Sequence, residues 1–213
     1  MPDVIARSPV RPVQPAVVAG WEVTGRPSYA ELVLTDLTPL AKAGVRASFD
    51  GALARALGIP FGRAARDSAG ALVIGSGPGD WLILGPVGEG RALRHRLAEM
   101  ATKHAGQELV TVLDLTHGRA LMRLTGAPAA ATLAKICSID LADASTPHGT
   151  AFRSSVAKLV TDVIRDDQEN AAGTVASYLL HCERSHGQYL FDALLDAGAE
   201  FGIGIDGFRA PGI

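Results

Sequence analysis

Cysteine is scarce in this 213-residue chain, with Cys137 and Cys182 standing alone. Two thiols exclude a disulfide framework, and with no CxxC or Cys/His zinc spacing they exclude a zinc ribbon or finger as well. Each reads as a buried free thiol, and a single bond between the two is the alternative. Charge of one sign is also missing: 20 basic and 22 acidic residues leave a formal net charge of −2. A nucleic-acid binder needs clustered Lys and Arg. The densest group here is Arg91, Arg94 and Arg96, which reads as the solvated face of a helix. No run of about 18 apolar residues occurs, so no membrane span is expected. The first fifteen residues carry Pro2, Pro9, Pro12 and Pro15 in place of a compact apolar signal region. These absences predict a cytoplasmic protein with neither nucleic acid nor membrane as partner.

What is present is 47% apolar residues in short runs, enough to bury a substantial core. Proline fixes φ and removes amide donors, so residues 1–20 read as an extended, irregular arm. Residues 30–37 alternate as a strand, with a shorter one at 44–48. Asp50 is placed to cap a short helix over 51–57, which Gly58 ends. The apolar runs 71–75 and 81–84, joined by Ser76-Gly77-Pro78-Gly79-Asp80, predict a hairpin. Leu93, Leu97, Met100 and Ala101 predict an amphipathic helix over 88–103.

The order then repeats. A strand at 121–124 leads into a helix with Pro128 in its first turn and Ala131, Leu133, Ala134 and Ile136 on its apolar face. Residues 151–156 and 159–165 read as a hairpin, 166–173 as an exposed polar loop, and 174–182 as a strand. Ser185 and Gln188 form a candidate capping box. The closing helix places Leu190, Leu194, Ala197 and Phe201 on one face and stops at Gly202. The fold class is therefore α+β: two plait-like halves, 21–108 and 109–205, with helices packed on antiparallel sheets, an arm at 1–20 and a tail at 206–213.

Residues with chemical potential are few. The Gly75–Asp80 run fails as a nucleotide loop, because it opens a strand and Asp80 stands where the Rossmann pattern needs a small residue. Trp81, beside Asp80, reads either as a core aromatic or as an interface anchor. The densest polar cluster lies in Val112–Gly126, where Asp114, Thr116, His117 and Arg119 fall within six positions. One reading is a proton-transfer site with His117 as base. The other is a joint, in which the same side chains cap turns and tie the two halves together. His181 and His186 do not have helical zinc-pair spacing. Ser154 and Ser155 lack the context of a serine nucleophile. No catalytic, cofactor-binding or metal-ligating residue is assigned.

Three segments together resemble the gamma subunit of heterotetrameric sarcosine oxidase. Gly77–Leu84 is similar to that family's Gly-Pro-Asp-(Glu)-Trp-Leu segment, with Gly79 added before the acidic residue. Asp114–Ala120, Leu124–Gly126 and Leu133–Leu141 resemble its Asp-(Val)-(Ser/Thr)-His-(Arg/Gly)-Arg-Ala and Leu-Ala-Lys-Gly-Cys-(Pro/Ser)-Leu-Asp-Leu segments, with Ile136 in place of the usual Gly. Ser185–Gly202 resembles the closing helix, including Ala199-Glu200-Phe201-Gly202. The likeness spans roughly residues 30–205. It implies a fold related to the folate-binding aminomethyltransferase of glycine cleavage. It also implies a non-catalytic, structural role beside alpha, beta and delta subunits in a complex that oxidises N-methylglycine. Flavins, NAD, zinc and tetrahydrofolate are then expected on those partner subunits and not on this chain. The alternative is a stand-alone folate-binding one-carbon transferase-like protein. A folate-dependent iron–sulfur assembly factor is matched only at Lys135 and Cys137.

Overall fold

The structure is a computed structural model that describes residues 4–170 and 173–210. Pro2, residues 171–172 of the expected polar loop and residues 211–213 of the expected tail lie outside them. The chain begins with β1 (Ala6–Arg7), β2 (Pro15–Val18), β3 (Trp21–Thr24), β4 (Val33–Asp36) and β5 (Ala41–Arg46). It continues through α1 (Ala52–Leu57), β6 (Ala64–Arg66), β7 (Leu72–Gly77), β8 (Asp80–Gly85), α2 (Gly90–His104) and β9 (Thr111–Asp114). Then follow β10 (Arg119–Thr125), α3 (Ala129–Ala134), β11 (Ala151–Val156), β12 (Leu159–Arg165) and the short pair β13 (Gln168–Asn170) and β14 (Gly173–Val175). The chain closes with β15 (Ser177–Glu183), α4 (Gly187–Gly198) and β16 (Gly204–Asp206).

Two sheets dominate. One runs β6-β7-β8-β5-β9, the other β11-β12-β15-β10-β4-β16. All pairings inside them are antiparallel except β16 with β4. They stack face to face with helices outside, giving four layers, and side-chain alternation explains why. In β8, Trp81 and Ile83 meet Leu53, Leu93 and Leu97 of α1 and α2, while Leu82 and Leu84 turn to the opposite sheet. In β10, Met122 and Leu124 meet Leu133, Leu190 and Leu194 of α3 and α4, while Leu121 points inward. Strands buried on both faces need apolar side chains at every position, which is why they read as short unbroken runs. Full burial of Leu190 and of Leu194 contributes roughly 1.5–3 kcal/mol each.

The sheets do not divide at residue 108. β4, from the first half of the sequence, sits between β10 and β16 in the six-stranded sheet. The proline-rich arm is not irregular: β1, β2 and β3 form a small sheet in the order β1-β3-β2. Its prolines do not obstruct pairing, because Pro9 and Pro12 fall between strands and Pro15 opens one. Asp50 does not cap α1; the Glu108 carboxylate does, accepting from the Ala52 amide at 2.6 Å. α3 buries Ala129, Thr132 and Leu133, whereas Ala131 and Ala134 are exposed. The Ser185–Gln188 capping box does not form, since the Gln188 side chain accepts from the Arg11 amide at 2.7 Å and donates to Asp192. The expected loop at 166–173 contains β13 and part of β14, and Asp166 is buried. Cys137 and Cys182 are both buried free thiols. Burial pushes the Cys182 thiol up to about 11. Among the described residues, no helix is long and apolar enough to cross a membrane.

Candidate functional site

Val112–Gly126 carries the chain from one large sheet to the other: β9 ends the five-stranded sheet at Asp114, and β10 enters the six-stranded sheet at Arg119. The intervening turn is bound to β5. The Leu115 amide donates to the Lys42 carbonyl at 2.8 Å, and Thr116 Oγ1 accepts from the Lys42 amide at 3.1 Å. Asp114 Oδ1 accepts from the Thr116 amide at 2.9 Å. Burial raises the Asp114 pKa, but the Thr116 hydrogen bonds, with Arg94 and His117 nearby, outweigh it and hold the carboxyl below its ordinary value. The exposed His117 ring stacks on Trp21 with centroids 4.8 Å apart and planes 9° apart, which pins the N-terminal sheet to this turn. Arg119 pairs with Glu183, its cross-strand neighbour. Asp114, Thr116 and His117 are thus engaged in structure, and no group here points a free base at a cavity.

Trp81 is 5% exposed and donates its Nε1–H to the Ile59 carbonyl at 2.8 Å. It is a core aromatic and not a surface anchor. Its flank does line an apolar groove of about 350 Å³ together with Phe49, Ala54, Ile59, Pro60 and Phe61. Phe49 and Phe61 are 61% and 53% exposed. Asp80 accepts from Arg46 Nε at 2.7 Å at the near end of β8.

The polar chemistry that sequence reading missed lies between the sheets. Asp162 and His181 are opposite one another on β12 and β15. His181 Nδ1 lies 2.9 Å from Asp162 Oδ2, and Arg153 Nε donates to Asp162 Oδ1 at 2.6 Å. Burial pushes the Asp162 carboxyl up, but the His181 and Arg153 bonds more than offset this and hold it low. Burial lowers the His181 pKa, and Asp162 only partly restores it. The pair at neutral pH is therefore a carboxylate and a neutral imidazole, with the proton assigned to Nδ1. Singly, Asp162, His181, Lys42 and Arg123 stand out in the sequence as polar residues interrupting apolar strands; their pairing comes only from the strand register.

Lys42 is 1% exposed and donates from Nζ to the carbonyls of Thr38 and Leu40 at 2.6 and 2.9 Å. Burial penalises its charge more than Asp36 and Asp114 favour it, lowering its pKa from 10.5 to about 7. Between those values the unfolded chain keeps a proton that the folded chain has released. Stability therefore rises with pH across that window and falls toward pH 7. Urea unfolding at pH 7 and pH 9 is expected to show about 2 kcal/mol of added stability in the native chain that Lys42→Met lacks. Equal pH slopes in the two proteins would contradict this assignment.

At the far end of the inter-sheet layer a wider cleft of about 760 Å³ is lined by Arg63, Arg66, His148, Arg165, Asp166 and Asp167, among others. Asp166 is held there by Arg123, whose Nη2 donates to Oδ2 at 2.7 Å and whose Nη1 donates to the Asp166 carbonyl at 3.1 Å. Arg165 pairs with Asp167 and Asp143, and its guanidinium lies 5.6 Å from the Tyr178 ring centroid. His148 accepts at Nδ1 from the Asp167 amide. Among the described residues, no group of three or more His, Cys, Asp or Glu side chains is arranged to hold a metal ion.

Comparison with known proteins adds three findings. The family described as "Sarcosine oxidase, gamma subunit family" matches residues 42–200. A heterotetrameric sarcosine oxidase from Corynebacterium sp. U-96, solved in complex with pyrrole 2-carboxylate, contains a chain that is 26% identical, with a TM-score of 0.66 over 84% of this chain and 89% of that one. The glycine cleavage system aminomethyltransferase T of Bartonella henselae is 16% identical with a TM-score of 0.66, and the match covers 93% of this chain and 56% of that one. The last shows the shared fold alone, and the chain spans just over half its length. No curated protein sequence matches significantly.

Proposed function

The chain belongs to the sarcosine oxidase gamma subunit family, and from that premise we propose that it is a structural, non-catalytic subunit of a cytoplasmic complex that oxidises N-methylglycine. Its partners in this reading are the alpha, beta and delta subunits. Flavins, NAD, zinc and tetrahydrofolate reside on those subunits. The observation that carries the reading is the match over residues 42–200, joined by the 26% identical chain in a heterotetrameric oxidase.

The surface supports it in two respects. The Phe49–Phe61 groove presents two large aromatics to solvent, one from the turn before α1 and one from the bridge to Gly75, the type of residue that dominates buried interfaces. Meanwhile Asp114, Thr116 and His117, the strongest polar cluster of the sequence, are committed to the joint between the sheets. A subunit that contributes shape and rigidity has this distribution.

The purified chain is expected neither to oxidise N-methylglycine nor to bind tetrahydrofolate at micromolar concentration. An oxygen-electrode assay and a calorimetric titration test the two halves of that statement. Oxidation by the lone chain would overturn the subunit reading. Micromolar folate binding that Arg119→Ala abolishes would move the protein to the rival class, a stand-alone folate-binding one-carbon transferase.

A further inference from the structure

The five-stranded sheet ends on β9, which among the described strands pairs with β5 alone. The Leu115 amide donates to the Lys42 carbonyl at 2.8 Å, and bonded and non-bonded pairs alternate along an antiparallel ladder. In the register of these two strands, Gly44–Leu113 and Arg46–Thr111 are then bonded pairs, whereas Val45–Val112 and Ala43–Asp114 are not. The N–H and C=O groups of Val112 and Asp114 therefore point away from β5, at the open edge. Among the described residues none of these four groups has a hydrogen-bond partner.

Proteins blunt such edges with lysine, proline, a bulge or a covering segment. Residues 111–114 carry no lysine or proline, and their pairing with β5 has no register shift. The opposite edge of the same sheet is covered at β6, where the Ala64 amide donates to the Gly149 carbonyl at 2.8 Å. β16, an edge of the second sheet, is covered by the segment whose Ser28 amide donates to Asp206 at 2.7 Å. β9 instead shows solvent Leu113 (48% exposed) and, just before the strand, Leu109 (89%). The apolar strip continues to Phe49, because Glu108 accepts from the Ala52 amide and so holds the approach to β9 against the turn that carries Phe49.

Open main-chain groups of this kind take an extended segment, whose alternating side chains give the specificity. Thr111 and Leu113 share one face of β9, Val112 and Asp114 the other. Asp114 is exposed, ionised at neutral pH and without a salt bridge among the described residues. Charge decides between occupants. Glu108–Asp114 holds two acids and no base, so a second copy offers Asp114 no cation, and an antiparallel pairing centred on Thr111 sets it against Glu108. We propose that β9 accepts a strand from a partner subunit, an extended segment with an apolar residue beside Leu113 and a basic residue beside Asp114. The proposal rests on the subunit reading and adds where and how that partner docks.

Amide hydrogen exchange, read residue by residue on the free chain and on the natively purified complex, tests it. In the free chain the Val112 and Asp114 amides are expected to exchange at least about 100-fold faster than the Leu113 amide, and in the complex both are expected to slow by about 100-fold or more. Val112→Pro removes an amide that bonds to nothing in the free chain, so its melting temperature should stay within about 4 °C of native, while its assembly weakens by at least about tenfold. Leu113→Lys, an edge-guarding charge on an exposed side chain, should weaken assembly likewise. An assembled complex in which both amides still exchange fast would overturn this proposal alone, as would native affinity in both variants. Protection in the free chain that fades on dilution would assign the edge to a second copy instead. Recovery of the chain with no flavin-bearing subunit would overturn the subunit reading, and the proposal with it.

Discussion

Replacing Asp166 with alanine is expected to destabilise the protein by about 3–5 kcal/mol, the cost of leaving a buried charge without its partner. The charge left behind is Arg123. Its side chain is 10% exposed, and burial already lowers its pKa against the pull of Asp166. Ser177 Oγ, 3.0 Å from Nη1, is the remaining side-chain acceptor and carries no charge. At about 2–4 °C per kcal/mol for a chain of this size, the melting temperature should fall by roughly 6–20 °C. Glu169→Ala, three positions on in the same acidic stretch, removes an exposed side chain and should stay within about 0.5 kcal/mol. Paired replacement of Arg123 and Asp166 by leucine should recover most of the loss, because no lone buried charge then remains: Arg66, the other partner of Asp166 at 3.6 Å, is 41% exposed. A melting curve of Asp166→Ala within a degree of the native one would show that the pair is not the buried anchor described above.

Charging the aromatic groove is the second large effect. Phe49→Asp with Phe61→Asp should weaken association with partner subunits by at least about 100-fold. Aromatic anchors contribute about 2 kcal/mol or more each, every 1.4 kcal/mol is tenfold, and neighbouring anchors are not additive. Both side chains are more than half exposed in the isolated chain, so its own unfolding curve should move by no more than about 0.5 kcal/mol. That separates lost docking from lost folding. Native affinity in the double variant would place the interface on another face.

Asp166 also marks the limit of what a local sequence pattern encodes. The amphipathic helix at Leu93 and Leu97 was legible because burial follows the helical period, and Leu190, Leu194 and Ala197 were legible for the same reason. The turn at Pro78-Gly79 was legible because Gly79 takes φ +76° and a side chain there would meet the Ala47 carbonyl. Asp166-Asp167-Gln168-Glu169-Asn170 reads as solvated because polarity is the only local cue. Its first residue is buried by a partner 43 positions away, which no local pattern encodes. The capping box failed for the same reason: Gln188 is claimed by the amide of Arg11, 177 positions back. The arm pairs as strands because proline spacing, and not proline content, decides whether the gaps can pair. Of the candidate site, the joint was visible as a crowd of polar residues in one stretch. The Asp162–His181 pair was not, since two isolated polar residues in separate strands become a pair only through the β12–β15 register.

The claim that this chain works as one subunit of an oxidase is tested most directly by purifying it under native conditions, through an affinity tag at its own locus, and weighing what elutes. The account predicts a stoichiometric complex with large flavin-bearing chains and a small zinc chain, active on N-methylglycine and absent when Phe49→Asp and Phe61→Asp are introduced. Elution of the chain alone, with the flavoprotein chains in a separate fraction that is fully active without it, would contradict the account.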